Sequence, residues 1–231
     1  MPLPVEVKKV IIMLLIANLI TCVCALVGFI YGIVKFFKPK KAVYAQMITL
    51  SVGCMAFGRL YQVVRLLTEG DITDSFQLGI LGFIGSLLFL FSANFGAMDS
   101  LADDGSKKFI KYRIIPFAAS AVLAAVYLIF AFLLIIKGGA FIIGAVITLF
   151  AAQASYFNLK HLIFPDVDYG VIKCLKPYNL IALIYSLTCV LEIVFINSEN
   201  GIAVLIIGLI MSGLLIAIVP SVERGMKKWT I

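Results

Sequence analysis

Basic residues fall almost entirely in alternate gaps between seven apolar stretches, and that alternation constrains this chain more than any other feature. The stretches run over approximately 10–34, 43–67, 76–98, 114–136, 139–159, 178–196 and 201–220. Crossing a bilayer takes about 20 mostly apolar residues, because the hydrocarbon core is about 30 Å thick and a helix rises about 1.5 Å per residue. Lipid offers no partner to free backbone N–H and C=O groups, so the spans must be helical. The expected architecture is therefore all-α: a polytopic membrane protein with a seven-transmembrane-helix bundle, forming one domain over residues 1–231. Composition agrees, since 13% of the residues are charged where soluble domains have about a quarter. The fourth and fifth stretches are separated only by Lys137-Gly138-Gly139. A single helix of that length would cross the membrane twice, so a tight hairpin is expected there.

Orientation follows from the positive-inside rule. One set of segments holds Lys35, Lys38, Lys40, Lys41, Lys107, Lys108, Lys111, Arg113, Lys160, Lys173, Lys176, Arg224, Lys227 and Lys228. The other set holds Lys8, Lys9 and Lys137, and its second gap is acidic, with Glu69, Asp71 and Asp74. The N-terminus is expected outside and the C-terminus in the cytoplasm of a bacterial cell (inner) membrane, a setting that a Lys- and Ile-rich composition also fits. The formal charge of +7 then reflects basic loops beside anionic lipid and gives no reason to expect nucleic-acid binding. Lys8 and Lys9 resemble a signal-peptide n-region, but 10–34 is too long an apolar run for one and reads as a retained span.

Small residues recur at helix-packing spacing. Gly28 and Gly32 form G-x-x-x-G, Gly79, Gly82 and Gly85 line one side of the third stretch, and Gly208 and Ser212 are four apart. Such motifs pack helices within a bundle, and Gly28/Gly32 also offer a homodimer contact. Four of the five cysteines (Cys22, Cys24, Cys54, Cys189) fall inside spans and Cys174 in a cytoplasmic loop, so they read as small hydrophobes rather than a disulfide framework.

Ionisable groups at membrane depth are costly unless paired or wetted. Arg59, Arg65 and Glu192 are the ones inside the expected spans. Arg59, Gln62 and Arg65 share a broad helix face, and Tyr185, Thr188 and Glu192 form a stripe on the sixth span, with Tyr178 two turns below. Arg59 and Glu192 occupy the same leaflet. Two arrangements follow: a buried ion pair locking spans two and six, or an outward-open ligand pocket lined by Arg59, Tyr61, Gln62, Arg65, Tyr185 and Glu192. The second would suit the carboxylate or phosphate of a small acidic ligand.

At the cytoplasmic end of the third span, Asp99 and Asp103 would share a face if the helix continued. Asp166 and Asp168 follow in the next cytoplasmic loop. Paired carboxylates can hold Mg²⁺ against a pyrophosphate. The alternative is that Asp103-Asp104-Gly105-Ser106 ends the helix and balances Lys107, Lys108, Lys111 and Arg113. His161 is expected to stand apart from carboxylates and cysteines, which disfavours zinc. There is no G-x-S-x-G, P-loop or H-E-x-x-H motif, no lysine in 201–220 for a retinal Schiff base, and no expected cofactor. The leading expectation is a receptor or sensor whose basic loops meet a cytoplasmic protein partner. A small secondary transporter is the alternative, and a Mg-dependent intramembrane enzyme the third.

Overall fold

The computed structural model describes residues 5–69, 78–99, 103–165, 171–197 and 200–229. Asp71, Asp74, Asp166, Asp168 and Glu199 lie outside them. The helices are α1 (Val5–Phe36), α2 (Val43–Thr68), α3 (Leu78–Ala93), α4 (Lys111–Leu133), α5 (Gly138–Ile163), α6 (Val171–Asn197) and α7 (Gly201–Trp229). A π-helical turn, Asn94–Asp99, extends α3, and a 3-10 turn, Lys107–Phe109, precedes α4. All seven helices are long and apolar enough to cross a membrane, the build of a multi-pass membrane protein. No strand occurs among the described residues.

Several helices run past their expected bounds, for identifiable reasons. α5 was expected to stop at 159 but continues to Ile163. It ends where Phe164 turns extended (ψ 137°), the conformation that the following Pro165 imposes on its predecessor. α6 and α7 run through Pro177 and Pro220, beside which the apolar stretches were expected to begin and end. α4 stops at Leu133 rather than 136. Ile135 (φ 54°) and Gly138 (φ 61°) take left-handed conformations that reverse the chain before Gly138 opens α5, so the expected hairpin is present with its turn slightly earlier.

Six helices close a ring in the order α1, α2, α3, α5, α6, α7, with α7 returning to α1. α3 packs on α5 rather than on α4, its neighbour in sequence. α4 stands outside the ring against α5, where the Tyr127 hydroxyl donates to the Phe141 carbonyl at 2.8 Å. Burial separates the two kinds of helix: 61% of the most apolar window of α2 is buried and 22% of that of α4. α2 is the less apolar of the two, so the polar groups lie inside the ring and apolar side chains cover its outside.

The ring closes on small residues. A Cβ at Gly58 would lie 2.8 Å from the Gly82 Cα, so α2 and α3 touch backbone to backbone. Gly79 and Gly85, on the same side of α3, meet Gln62 and Cys54 of α2. Gly208 rests on Ala17, and one turn on the Ser212 hydroxyl bonds Thr21 at 3.1 Å, joining α7 to α1. Gly28 faces the Leu215 carbonyl and Val52, and Gly32 faces Thr49. These two glycines therefore pack inside the chain, the first of the two roles their spacing suggests.

Candidate functional site

Arg59 of α2 is 1% exposed and is the largest fully buried side chain among the described residues. Its guanidinium meets Glu192 of α6 in a two-pronged pair: Nη1 donates to Oε1 at 2.7 Å and Nη2 to Oε2. Nη1 also donates to Asn18 Oδ1 of α1 (2.8 Å) and Gln62 Oε1 (3.1 Å), and Nη2 lies 3.1 Å from Met211 Sδ of α7. The Phe83 ring of α3 stacks below, with its centroid 4.5 Å from Cζ, a position set by the Gly58–Gly82 contact. One side chain thus ties five of the six ring helices together. Pairing with a planar guanidinium suits such a desolvated site, because bidentate hydrogen bonds offset part of the cost of burying both charges.

Of the two arrangements expected from sequence, the structure forms the ion pair. Arg59, Gln62, Tyr185 and Glu192 are all buried inside the ring. Tyr61 is only half-buried, and Arg65 turns away to Glu69, one helical turn on, at 2.6 Å. Tyr185 stands one layer further in, where its hydroxyl shares a 2.6 Å hydrogen bond with Ser86, which in turn meets Ser51 at 3.0 Å. Thr188 satisfies its hydroxyl on the Tyr185 carbonyl.

About 10 Å further along each helix, by the rise per residue, lies a third layer: Tyr44 of α2, Asn94 at the head of the π turn, Asn158 of α5 and Tyr178 of α6. Asn94 Nδ2 donates to Asn158 Oδ1 at 2.6 Å. The residues of this layer are at most 7% exposed.

The fourth layer is charged again. Lys160 of α5 bridges Asp99 Oδ1 (2.6 Å) and Asp103 Oδ2 (2.8 Å). Arg113 of α4 clamps Asp103 through Nε (2.7 Å) and Nη2, and also reaches the Ser106 carbonyl. His161 is 1% exposed, with Nε2 3.4 Å from Asp99 Oδ1. The expectation that His161 stands apart from carboxylates is therefore corrected. The cause is the extra turn of α5, which carries Lys160 and His161 into the bundle. Asp103 and Asp104 also accept from the backbone N–H groups of Gly105 and Ser106, and Asp104 lies 3.6 Å from Lys108. The aspartates thus meet two of the four basic residues expected, Lys108 and Arg113, with Lys160 as an additional partner.

Arg113 and Lys160 hold the Asp103 carboxyl well below the usual range. At Asp99 burial opposes ionisation, but His161 and Lys160 outweigh it, and its carboxyl too is lowered. Both carboxylates are thus committed to an ammonium lying between them. Among the described residues no group of three or more His, Cys, Asp or Glu is arranged to hold a metal ion. The Lys160 ammonium takes the place between Asp99 and Asp103 that a cation would need, so the pair does not fit Mg²⁺.

Sequence reasoning passed over Asn18, Phe83, Met211, Asn94, Asn158 and the inward role of Lys160. The amides carried a signal: Asn18, Asn94 and Asn158 interrupt otherwise apolar runs, where a buried amide needs a partner. The comparisons add no identification: no protein-family model, curated protein or solved structure matches this chain.

Proposed function

We propose that the protein is a small secondary transporter that moves a polar solute through the interior of the six-helix ring, with α4 as a peripheral strut. The observation that carries this reading is the order of the layers. A dry ion pair (Arg59–Glu192) and a charged cluster (Lys160, Asp99, Asp103, Arg113) lie at opposite ends of a column of uncharged polar side chains. Arg59 and Tyr44 are 15 residues apart on α2, about 22 Å, so the column spans most of a bilayer core. Ion pairs between helices are suited to act as gates, because each can be exchanged for solvent or solute when helices part. Oriented by its basic loops, the bundle sits in a bacterial inner membrane with the Arg59–Glu192 gate in the outer leaflet and the Lys160 gate on the cytoplasmic side.

A receptor is the second reading, favoured by the Arg59–Glu192 geometry itself. A guanidinium already gripping one carboxylate could exchange it for that of an acidic ligand, moving α6 against α2 and signalling to a cytoplasmic protein through the basic loops. Uptake into sealed proteoliposomes separates the two. Solute accumulation above protein-free vesicles supports the transporter. Saturable binding of an acidic ligand, lost in Arg59→Ala and unaccompanied by uptake, supports the receptor.

A further inference from the structure

The third layer holds more hydrogen-bonding capacity than the protein uses. Asn94 and Asn158 satisfy each other with one bond, which leaves Asn94 Oδ1 as a buried acceptor and Asn158 Nδ2 as a buried donor without partners. The hydroxyl of Tyr44 is likewise buried and unpartnered, and that of Tyr178 is buried against the Asn94 amide. Asn94, Asn158 and Tyr178 are 0% exposed and Tyr44 is 7%. The four come from four elements and converge: Asn94 bonds Asn158 and also engages the Tyr178 hydroxyl, which in turn faces Tyr44.

Burying polar groups unsatisfied costs the full penalty of removing them from water, and native proteins seldom tolerate several together. Fixed convergent donors and acceptors in an apolar surround are what a small-ligand site consists of. None of the four carries a formal charge. The nearest charged layer is self-neutralising, because Lys160 and Arg113 face Asp99 and Asp103. The π turn is part of the arrangement: such turns recur at functional sites, and this one carries Asn94 at its head and Asp99 at its end.

We infer that Tyr44, Asn94, Asn158 and Tyr178 form a binding site for a small uncharged solute presenting both a hydrogen-bond donor and an acceptor, such as a primary amide or a polyol. Resting on the transporter reading, this makes the third layer the station where solute waits behind the Lys160 gate. A carboxylate or an ammonium group would be excluded, since no unpaired opposite charge faces the four residues.

The test is saturation-transfer difference NMR on the full chain in detergent, with acetamide, glycerol, acetate and methylammonium as probes. Acetamide or glycerol should bind saturably, and acetate and methylammonium should not. Tyr178→Phe, which removes only a hydroxyl, should weaken the neutral probe about tenfold, the worth of one hydrogen bond. Asn158→Leu should do at least as much, and if that variant does not fold, Tyr178→Phe decides alone. The inference is overturned if no neutral probe binds, if a charged probe binds more tightly, or if neutral binding survives Tyr178→Phe unchanged. Light-scattering flux in proteoliposomes is read separately: binding without flux keeps the site and removes the transporter.

Discussion

The two charged layers use the same chemistry under opposite conditions. In the Arg59 layer one cation faces one carboxylate, both are 1% exposed, and every other neighbour is neutral. In the Lys160 layer two cations share two carboxylates, beside a histidine, and Asp99 and Arg113 keep 21% and 28% of their side-chain surface exposed. The first layer has no spare partner: losing either ion strands the other in a dry interior. In the second, Asp103 keeps Arg113 when Lys160 is lost. Burial and redundancy, rather than the residues themselves, separate a rigid latch from an adjustable one.

The largest test of that difference is Glu192→Ala, which leaves the guanidinium without a counter-charge. It is expected to cost about 3–5 kcal/mol, whereas Arg59→Met combined with Glu192→Leu should return to within about 1–2 kcal/mol of the parent. Both are read from chemical unfolding in detergent. A single variant as stable as the parent would show that water reaches the pair, and the contrast between the layers would collapse. Lys160→Met should cost less, about 1–3 kcal/mol, because Arg113 still holds Asp103. An equal cost for the two single variants would mean the second layer has no redundancy.

Acid sharpens the comparison further. The carboxyls of Asp99 and Asp103 are lowered in the folded protein, so the stability they contribute is fully present above the unfolded carboxyl value, about 3.9. It is lost as pH falls through their lower folded values. Thermal unfolding followed from pH 5 downward should show this decline, and Asp103→Asn should flatten it. An unchanged slope in that variant would place the acid sensitivity elsewhere. The smallest effect belongs to the Arg65–Glu69 pair at the end of α2, whose carboxylate faces solvent: Glu69→Ala should shift stability by less than about 0.5 kcal/mol.

How much of this was legible in the sequence depended on what each residue costs in lipid. Arg59 and Glu192 announced themselves because a charge inside an apolar run needs a partner, and counting rise per residue put them at one depth. Lys160 and His161 did not, because hydropathy ended the fifth span at 159 while Pro165, six residues on, ends the helix. Asn158 was hidden for a related reason: an amide disturbs an apolar window too little to draw notice, yet inside the ring it occupies a central position. The exclusion of α4 from the ring was illegible as well. The ring helices α1 and α7 are more apolar than α4 and α2 is less so, so apolarity alone does not single α4 out, and Phe117 and Phe132, 67% and 84% exposed, resemble core residues in sequence. The seven long apolar helices were legible because length and apolarity are written directly in the run of residues.

The central claim is that the column between the two layers is reached from both ends in turn, and Ser86 in its middle layer is the place to look. A Ser86→Cys reporter, in a chain whose five native cysteines are replaced by alanine, is exposed in proteoliposomes to a membrane-impermeant thiol reagent from either side. The transporter account predicts labelling from both sides, biased toward the N-terminal side when Arg59→Met and Glu192→Leu remove the first gate. Labelling from one side only, whatever the state of either charged layer, would contradict it.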